Sequence, residues 1–217
     1  MRTFIAIPLE DAANDALDEW LRKNQLAKKM RIVSRGNRHI TLKFLGEIKP
    51  EMTEDLAKVL QDLAEKIRHG ILPGAPRTML QGFGFFPNAQ RPRVFWLGTG
   101  EGLLTGRERP ERDWMSRSSE GREWFQAVFA ELENALCGLG FSREDRPYFP
   151  HITLSRLRGD FVSDSGAVRQ IQNEIVTEFI PRRIVLYRSR LGGGEARYDA
   201  LADFPLTASG ADGNADI

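Results

Sequence analysis

The stretch HITLKFLGEI at His39–Ile48 opens with a tetrapeptide that returns in HITLSRL at His151–Leu157. The chain holds three histidines, and two of them begin these copies. Both stretches are rich in β-branched and aliphatic residues, which favours strands. Side chains alternate faces along a strand. His39 and Thr41 therefore share one face, with Ile40 and Leu42 on the other. His151 and Thr153 stand against Ile152 and Leu154 in the same way. Each copy gives an aliphatic pair to a core and sets an imidazole beside a hydroxyl on the opposite face.

Outward from the first copy, Thr3–Leu9 (TFIAIPL) reads as a buried strand. Asp11–Lys29 reads as a helix with Ala12, Ala16, Leu17, Trp20 and Leu21 near a 3.6 period. Arg31–Ser34 is a short strand candidate. Pro50 opens a helix over Met52–Arg68, with Leu56, Val59, Leu60 and Leu63 on one face. Strands Thr78–Phe86 and Arg93–Gly98 form a hairpin around Pro87-Asn88 and Arg91-Pro92. The segment 100–121 is polar, aperiodic and read as an exposed insertion. Outward from the second copy, Arg122–Leu139 is helical. A helix is expected from about Ser165 to Glu178, and strands at Arg183–Ser189 and Ala196–Phe204 flank a turn at Gly192–Gly194. Residues 207–217 are small and polar and are expected to be disordered. The order reads as two α+β halves within one domain spanning 1–206.

Hydrophobic residues make up 41% and charged residues 28% of the 217 residues, an ordinary soluble composition. Lys plus Arg number 31 and Asp plus Glu 30, so global charge gives no reason to wrap long nucleic acid. The single cysteine, Cys137, excludes an internal disulfide and a CxxC zinc site, and fits a reducing, cytoplasmic setting. No segment is apolar for long enough to span a membrane, and the amino-terminal apolar run is too short for a secretion signal.

Two imidazoles and two hydroxyls facing one cleft suit phosphodiester cleavage. Imidazole titrates near neutrality, so one ring can take a proton from water while its partner protonates the departing oxygen. The threonine hydroxyls can donate to the non-bridging oxygens as charge builds there. The scheme needs no metal or other cofactor. Lys43 has the parity of His39 and Thr41 and could add positive potential, with a solvated lysine the competing reading. Arg156 falls on the Ile152 face unless a bulge turns it. His69 suits a helix C-terminal cap. Tyr148 and Phe149 could stack on a base, although core packing is the commoner use. Arg107, Arg109, Arg112 and Arg117 lie among acids in the insertion and read as a solvated loop.

HITLKFLGE at His39–Glu47 and PYFPHITLSRL at Pro147–Leu157 resemble the paired His-x-Thr-x signatures of the two-histidine phosphoesterase superfamily. The opening TFIAIPL and the stretch GFGFFPN…RPRVFWLG are similar to its RNA 2′,3′-cyclic phosphodiesterase branch, the LigT-like or 2′-5′ RNA ligase group. The resemblance implies a bilobal α+β fold, two antiparallel sheets flanked by helices, with the motifs lining a central cleft. It implies His39 as proton donor to the leaving oxygen and His151 as proton acceptor from water. Thr41, Thr153 and Arg156 match the family's substrate-binding positions. The implied substrate is an RNA 3′ end or oligonucleotide carrying a 2′,3′-cyclic phosphate, with the 2′-phosphate as product. The chain is expected to act as a monomer, without a membrane. The reverse, ligating reaction and a non-catalytic RNA- or nucleotide-binding module are the alternatives. Intact His and Thr pairs count against the binding module.

Overall fold

Strand β1 (Arg2–Pro8) is buried from Thr3 onward because it lies inside a sheet, with antiparallel neighbours on both sides: β2 (His39–Glu47) and β7 (Arg183–Arg190). The computed structural model describes residues 1–99, 120–157, 174–190 and 195–207. In chain order the other elements are α1 (Asp11–Lys23), the single turn α2 (Leu26–Lys29), α3 (Met52–Arg68), β3 (Thr78–Phe86), β4 (Val94–Thr99), α4 (Glu120–Cys137), β5 (His151–Arg156), β6 (Ile175–Phe179) and β8 (Arg197–Pro205).

The helices form where apolar residues repeat every three to four positions. In α1 the buried set is Ala13, Asn14, Leu17, Trp20 and Leu21. In α3 it is Leu56, Leu60, Leu63, Ala64 and Ile67, and the helix ends at His69 as expected, followed by Gly70 at φ +72°. Helix α4 buries Trp124, Phe125, Val128, Leu132 and Leu136. These stripes join Ile5, Ile7, Ile40, Leu42, Ile152, Leu154, Phe83 and Leu97 in one core on one face of the sheet. The aliphatic halves of both repeated tetrapeptides thus do what alternation demands. Full burial of one such side chain is worth roughly 1.5–3 kcal/mol.

The strands form one eight-stranded sheet in the order β6-β3-β4-β5-β2-β1-β7-β8, where two sheets were expected. The reason lies in the repeated motifs themselves. Strands β2 and β5 pair with each other, though through a single registered pair, Ile40 with Ile152. Two four-stranded halves, β6-β3-β4-β5 and β2-β1-β7-β8, meet along that seam. The α+β class holds and the hairpin β3–β4 is present.

A second correction concerns residues 175–178, read as the end of a helix. Ile175–Phe179 is strand β6, paired with β3 from Thr78 to Gln81. Five residues followed by Ile180-Pro181 are too few to display a helical period, and edge pairing decides their state. Residues 165–173 of that expected helix, the Gly192–Gly194 turn, residues 100–119 of the expected insertion with its four arginines, and the tail from 208 lie outside the described residues, while Glu120 and Gly121, read as the end of the insertion, open α4. No helix among the described residues is long and apolar enough to cross a membrane.

Candidate active site

The Ile40–Ile152 pair fixes everything around it. In an antiparallel pair, one step along one strand meets one step back along the other. His39 therefore stands opposite Thr153, and Thr41 opposite His151, all four on the face away from the core. The two histidines sit on a diagonal, a spacing of about 7–8 Å between backbone positions in an antiparallel ladder. The four side chains are related by an approximate two-fold axis through the isoleucine pair. None of them is fully exposed, while both isoleucines are sealed beneath.

Both motif strands carry an irregularity at the same place. In β2, Thr41 pairs with Ala6 and Lys43 with Ile5, so Leu42 is the extra residue. In β5, Thr153 pairs with Trp96 and Ser155 with Phe95, so Leu154 is extra. Each bulge reverses the parity that follows it. Arg156 is thereby turned to the face of His151 and Thr153, the condition its position required. The same device removes Lys43 from the cleft. Its ammonium is buried, 2.7 Å from Glu133, 3.5 Å from Glu144, and donates to the Ser142 carbonyl at 2.8 Å. Neither reading of Lys43, as a cleft cation or as a solvated lysine, holds. Its equivalent, Ser155, is also buried and donates to the Arg31 carbonyl at 2.8 Å. One residue further on, the two-fold axis relates exposed Phe44 to exposed Arg156.

Each imidazole is held from behind by the carbonyl two residues earlier. His39 Nδ1 lies 2.7 Å from the Asn37 oxygen, and His151 Nδ1 lies 2.8 Å from the Phe149 oxygen. A carbonyl only accepts, so Nδ1 carries hydrogen in both rings and Nε2 is the atom left for proton transfer. The supports behind these carbonyls differ. Asn37 donates its side-chain amide to Glu195 Oε1 at 3.1 Å and to the Ala196 carbonyl at 2.7 Å. The same carboxylate oxygen accepts from Ser34 N–H at 2.9 Å and Ser34 Oγ at 3.1 Å. Burial pushes the Glu195 carboxyl up, but the bonds from Ser34 and Asn37 outweigh it and hold the group below its ordinary range. Behind His151 stands an aromatic wall of Phe86, Trp96 and Phe149, with Phe86 edge-on at 5.0 Å. His39 has its own wall, with Phe4 at 4.9 Å and Tyr198 edge-on at 5.4 Å.

Burial against these walls dominates the electrostatics. It pushes His39 down to about 4, against the Asn37 hydrogen bond, with repulsion from His151 and Arg156 adding to it. His151 is lowered by burial too, opposed by its Phe149 bond, with Arg156 adding. Arg156 therefore acts on both rings. Repulsion between the two rings disfavours charging both of them at once.

The residues missed in the sequence are the ones that hold others. Nothing in the letters marks Asn37 or Glu195, which meet from 158 positions apart. Phe44 and Arg31 were legible only as strand residues, because their facing depends on bulges and on the bridge between Ile32 and Ser155. Tyr148 packs as the commoner reading held, stacked on Phe129 at 4.2 Å and donating to the Thr41 carbonyl at 3.1 Å. Among the described residues, no group of three or more His, Cys, Asp or Glu side chains is assembled that could hold a metal ion.

The LigT like Phosphoesterase family matches residues 7–96, a span that includes the first motif. The RNA 2′,3′-cyclic phosphodiesterase of Thermotoga maritima is 30% identical over 215 residues, covering 91% of this chain and 100% of that protein. A protein of the same name from Geobacillus stearothermophilus is 29% identical over 206 residues, covering 94% of this chain, and the match spans 56% of that relative's length. The crystal structure of Escherichia coli LigT complexed with 3′-AMP shares the fold at a TM-score of 0.62 and 25% identity, covering 94% of this chain and 97% of that one. With two His-Ile-Thr-Leu strands meeting at one seam and a match along the whole of the Thermotoga protein, this chain belongs to the LigT-like phosphoesterase family.

Proposed function

We propose that this chain hydrolyses 2′,3′-cyclic phosphates at RNA 3′ ends to 2′-phosphates, by acid–base catalysis with two histidines and no metal. The observation that carries the reading is the diagonal of His39 and His151 across the Ile40–Ile152 pair, each ring with Nδ1 committed to a carbonyl. A phosphorus above the pair has an Nε2 on either side. His151 Nε2 takes a proton from water as the water oxygen bonds to phosphorus. The bond from phosphorus to the ribose 3′ oxygen breaks, and His39 Nε2 gives that oxygen its proton. The phosphate stays esterified to the 2′ oxygen. Thr41 and Thr153 donate to the non-bridging oxygens, and Arg156 offsets the charge gathered on them. The names of the Thermotoga and Geobacillus relatives support the substrate, and the complex of E. coli LigT with 3′-AMP supports a nucleotide as ligand.

The assignment of acid and base rests on family resemblance, and burial lowers both rings in the free protein. An anionic substrate beside both rings raises both pKa values, and it must do so for His39 to enter the reaction protonated. The test is an oligonucleotide ending in a 2′,3′-cyclic phosphate, incubated with the protein in chelator. The expected result is conversion to the 2′-phosphate with a bell-shaped dependence on pH, and a loss of at least about 100-fold in His39→Ala and in His151→Ala. Folded variants at wild-type rates would sink the proposal. Sulfur in place of the leaving oxygen needs no proton, so that substrate should restore the rate to His39→Ala and not to His151→Ala. The reverse pattern would exchange the two roles.

A further inference from the structure

The two imidazoles are held by the same device, a carbonyl two residues earlier, but the segments that carry those carbonyls are fastened differently. Asn37 is fixed by its own side chain, which donates to Glu195 and to the Ala196 carbonyl, just ahead of β8. Phe149 has a hydrocarbon side chain and cannot be fixed in that way. Its ring lies on the cleft side, against Trp96 and His151. The residue before it, Tyr148, packs on the opposite side against the core, with its ring flat on Phe129 of α4 at 4.2 Å. Its hydroxyl donates to the Thr41 carbonyl at 3.1 Å. Burial pushes the phenol above its ordinary pKa, so the hydroxyl remains a donor at neutral pH.

Tyr148 and Phe149 together thus touch both motifs, the first by its hydroxyl and the second by its carbonyl. Little else sets that distance. The described strands β2 and β5 share only the Ile40–Ile152 pair, and Pro150 has no N–H with which the ladder could run on toward β2. Thr99 Oγ1 reaches the Pro150 carbonyl at 3.5 Å from the β4 side. Lys43 holds the Ser142 carbonyl at 2.8 Å, but the exposed run 143–147 separates that tie from Phe149. The two-fold axis that relates the motifs matches Tyr148 to Gly36, which has no side chain. The brace therefore exists on one side only. His39 is set against the approach to β8, and His151 is set against the first motif.

We propose that Tyr148 is a positioning residue, which sets the separation of the two histidines by tying the segment that anchors His151 to the Thr41 carbonyl. The reaction needs an Nε2 on either side of one phosphorus, and a misplacement of about 1 Å costs on the order of 100-fold. The phenol touches neither the substrate nor an imidazole. It acts through the Thr41 and Phe149 carbonyls. This inference deepens the two-histidine reading and rests on it for the effect on rate.

Tyr148→Phe keeps the ring on Phe129 and removes the bond. With an oligonucleotide ending in a 2′,3′-cyclic phosphate, kcat should fall about tenfold while KM stays within about twofold of wild type. The response to sulfur in place of the leaving oxygen tells which ring is displaced. Tyr148→Phe should respond as His151→Ala does, whichever role His151 holds, and Glu195→Ala should respond as His39→Ala does. A wild-type kcat, a loss confined to KM, or a response that follows His39→Ala overturns the proposal. Should the wild-type protein open no cyclic phosphate, the catalytic reading fails instead, and nitrogen-15 NMR of the imidazoles decides the positioning alone. The chain has three histidines, so each can be assigned by its own substitution. Above neutral pH, wild-type His151 should show one tautomer, with hydrogen on Nδ1. In Tyr148→Phe its two ring nitrogens should move toward each other in shift as the second tautomer is populated, with His39 unchanged. An unchanged His151, or an equal change in His39, overturns the proposal.

Discussion

His39 is where chemistry and stability meet. Burial holds its pKa near 4, below the 6.5 of an unfolded chain. Between those values the unfolded chain binds a proton that the native cleft refuses. Stability contributed by this group is therefore full above about pH 6.5 and is lost as pH falls toward 4. The loss is about 2–3 kcal/mol, allowing for solvent in the cleft. His151 is shifted in the same direction and steepens the fall. Urea midpoints measured from pH 7.5 to 4 should show this slope, and His39→Gln should flatten part of it. An unchanged slope would place the acid lability elsewhere. Glu195 offers a second test at the same scale. Its carboxylate fixes Asn37, and the Asn37 carbonyl fixes the ring. Removing it in Glu195→Ala should lower kcat about tenfold, through misplacement of Nε2, and leave KM nearly unchanged. Glu195→Gln keeps an accepting oxygen and should recover most of the rate. A variant that changes only thermal stability would make Glu195 a loop fastener.

The elements show why spacing alone misplaces two residues and places four. Alternation from His39 and from His151 is correct as far as the threonines, because up to there both strands are regular. Beyond them it fails in both strands for one reason: a bulge is set by pairing with a neighbour strand, and the neighbours, β1 and β4, are distant in sequence. Strict alternation alone thus turns Lys43 toward the cleft and Arg156 away from it, each opposite to its actual facing, and the bulge that Arg156 required as a substrate-binding residue is present. The consequence for Lys43 is a buried ion pair joining β2 to α4, with both side chains nearly sealed from solvent. Breaking it on one side leaves an uncompensated charge in the core. Lys43→Met should cost about 3–5 kcal/mol, while Lys43→Met with Glu133→Leu should recover most of that. Urea denaturation of the two singles and the double closes the cycle. Additive losses would mean that the two charges stand independently.

At the scale of the whole molecule, the described strands of the two halves share one registered pair at the seam, yet each half is fastened to the other by parts outside it. Trp20 of α1, which follows β1, stacks on Phe83 of β3 at 4.1 Å and donates to Glu174 ahead of β6. The 31–33 segment lies on β5, and the approach to His151 is tied to β2 through Ser142 and Tyr148. Each motif is thus reached by a segment anchored on the other motif's strand. Two independently folding lobes could not preserve the diagonal of the histidines, since relative motion would change it directly. One cooperative unit can. Thermal unfolding should therefore be a single transition, with calorimetric and van't Hoff enthalpies equal. Trp20→Ala should cost about 3–5 kcal/mol and lower the one midpoint without splitting it. Two resolved transitions, or a variant that melts the β3–β6 half first, would show that the seam is held by the isoleucine pair alone and that the catalytic spacing is set after folding, by the substrate.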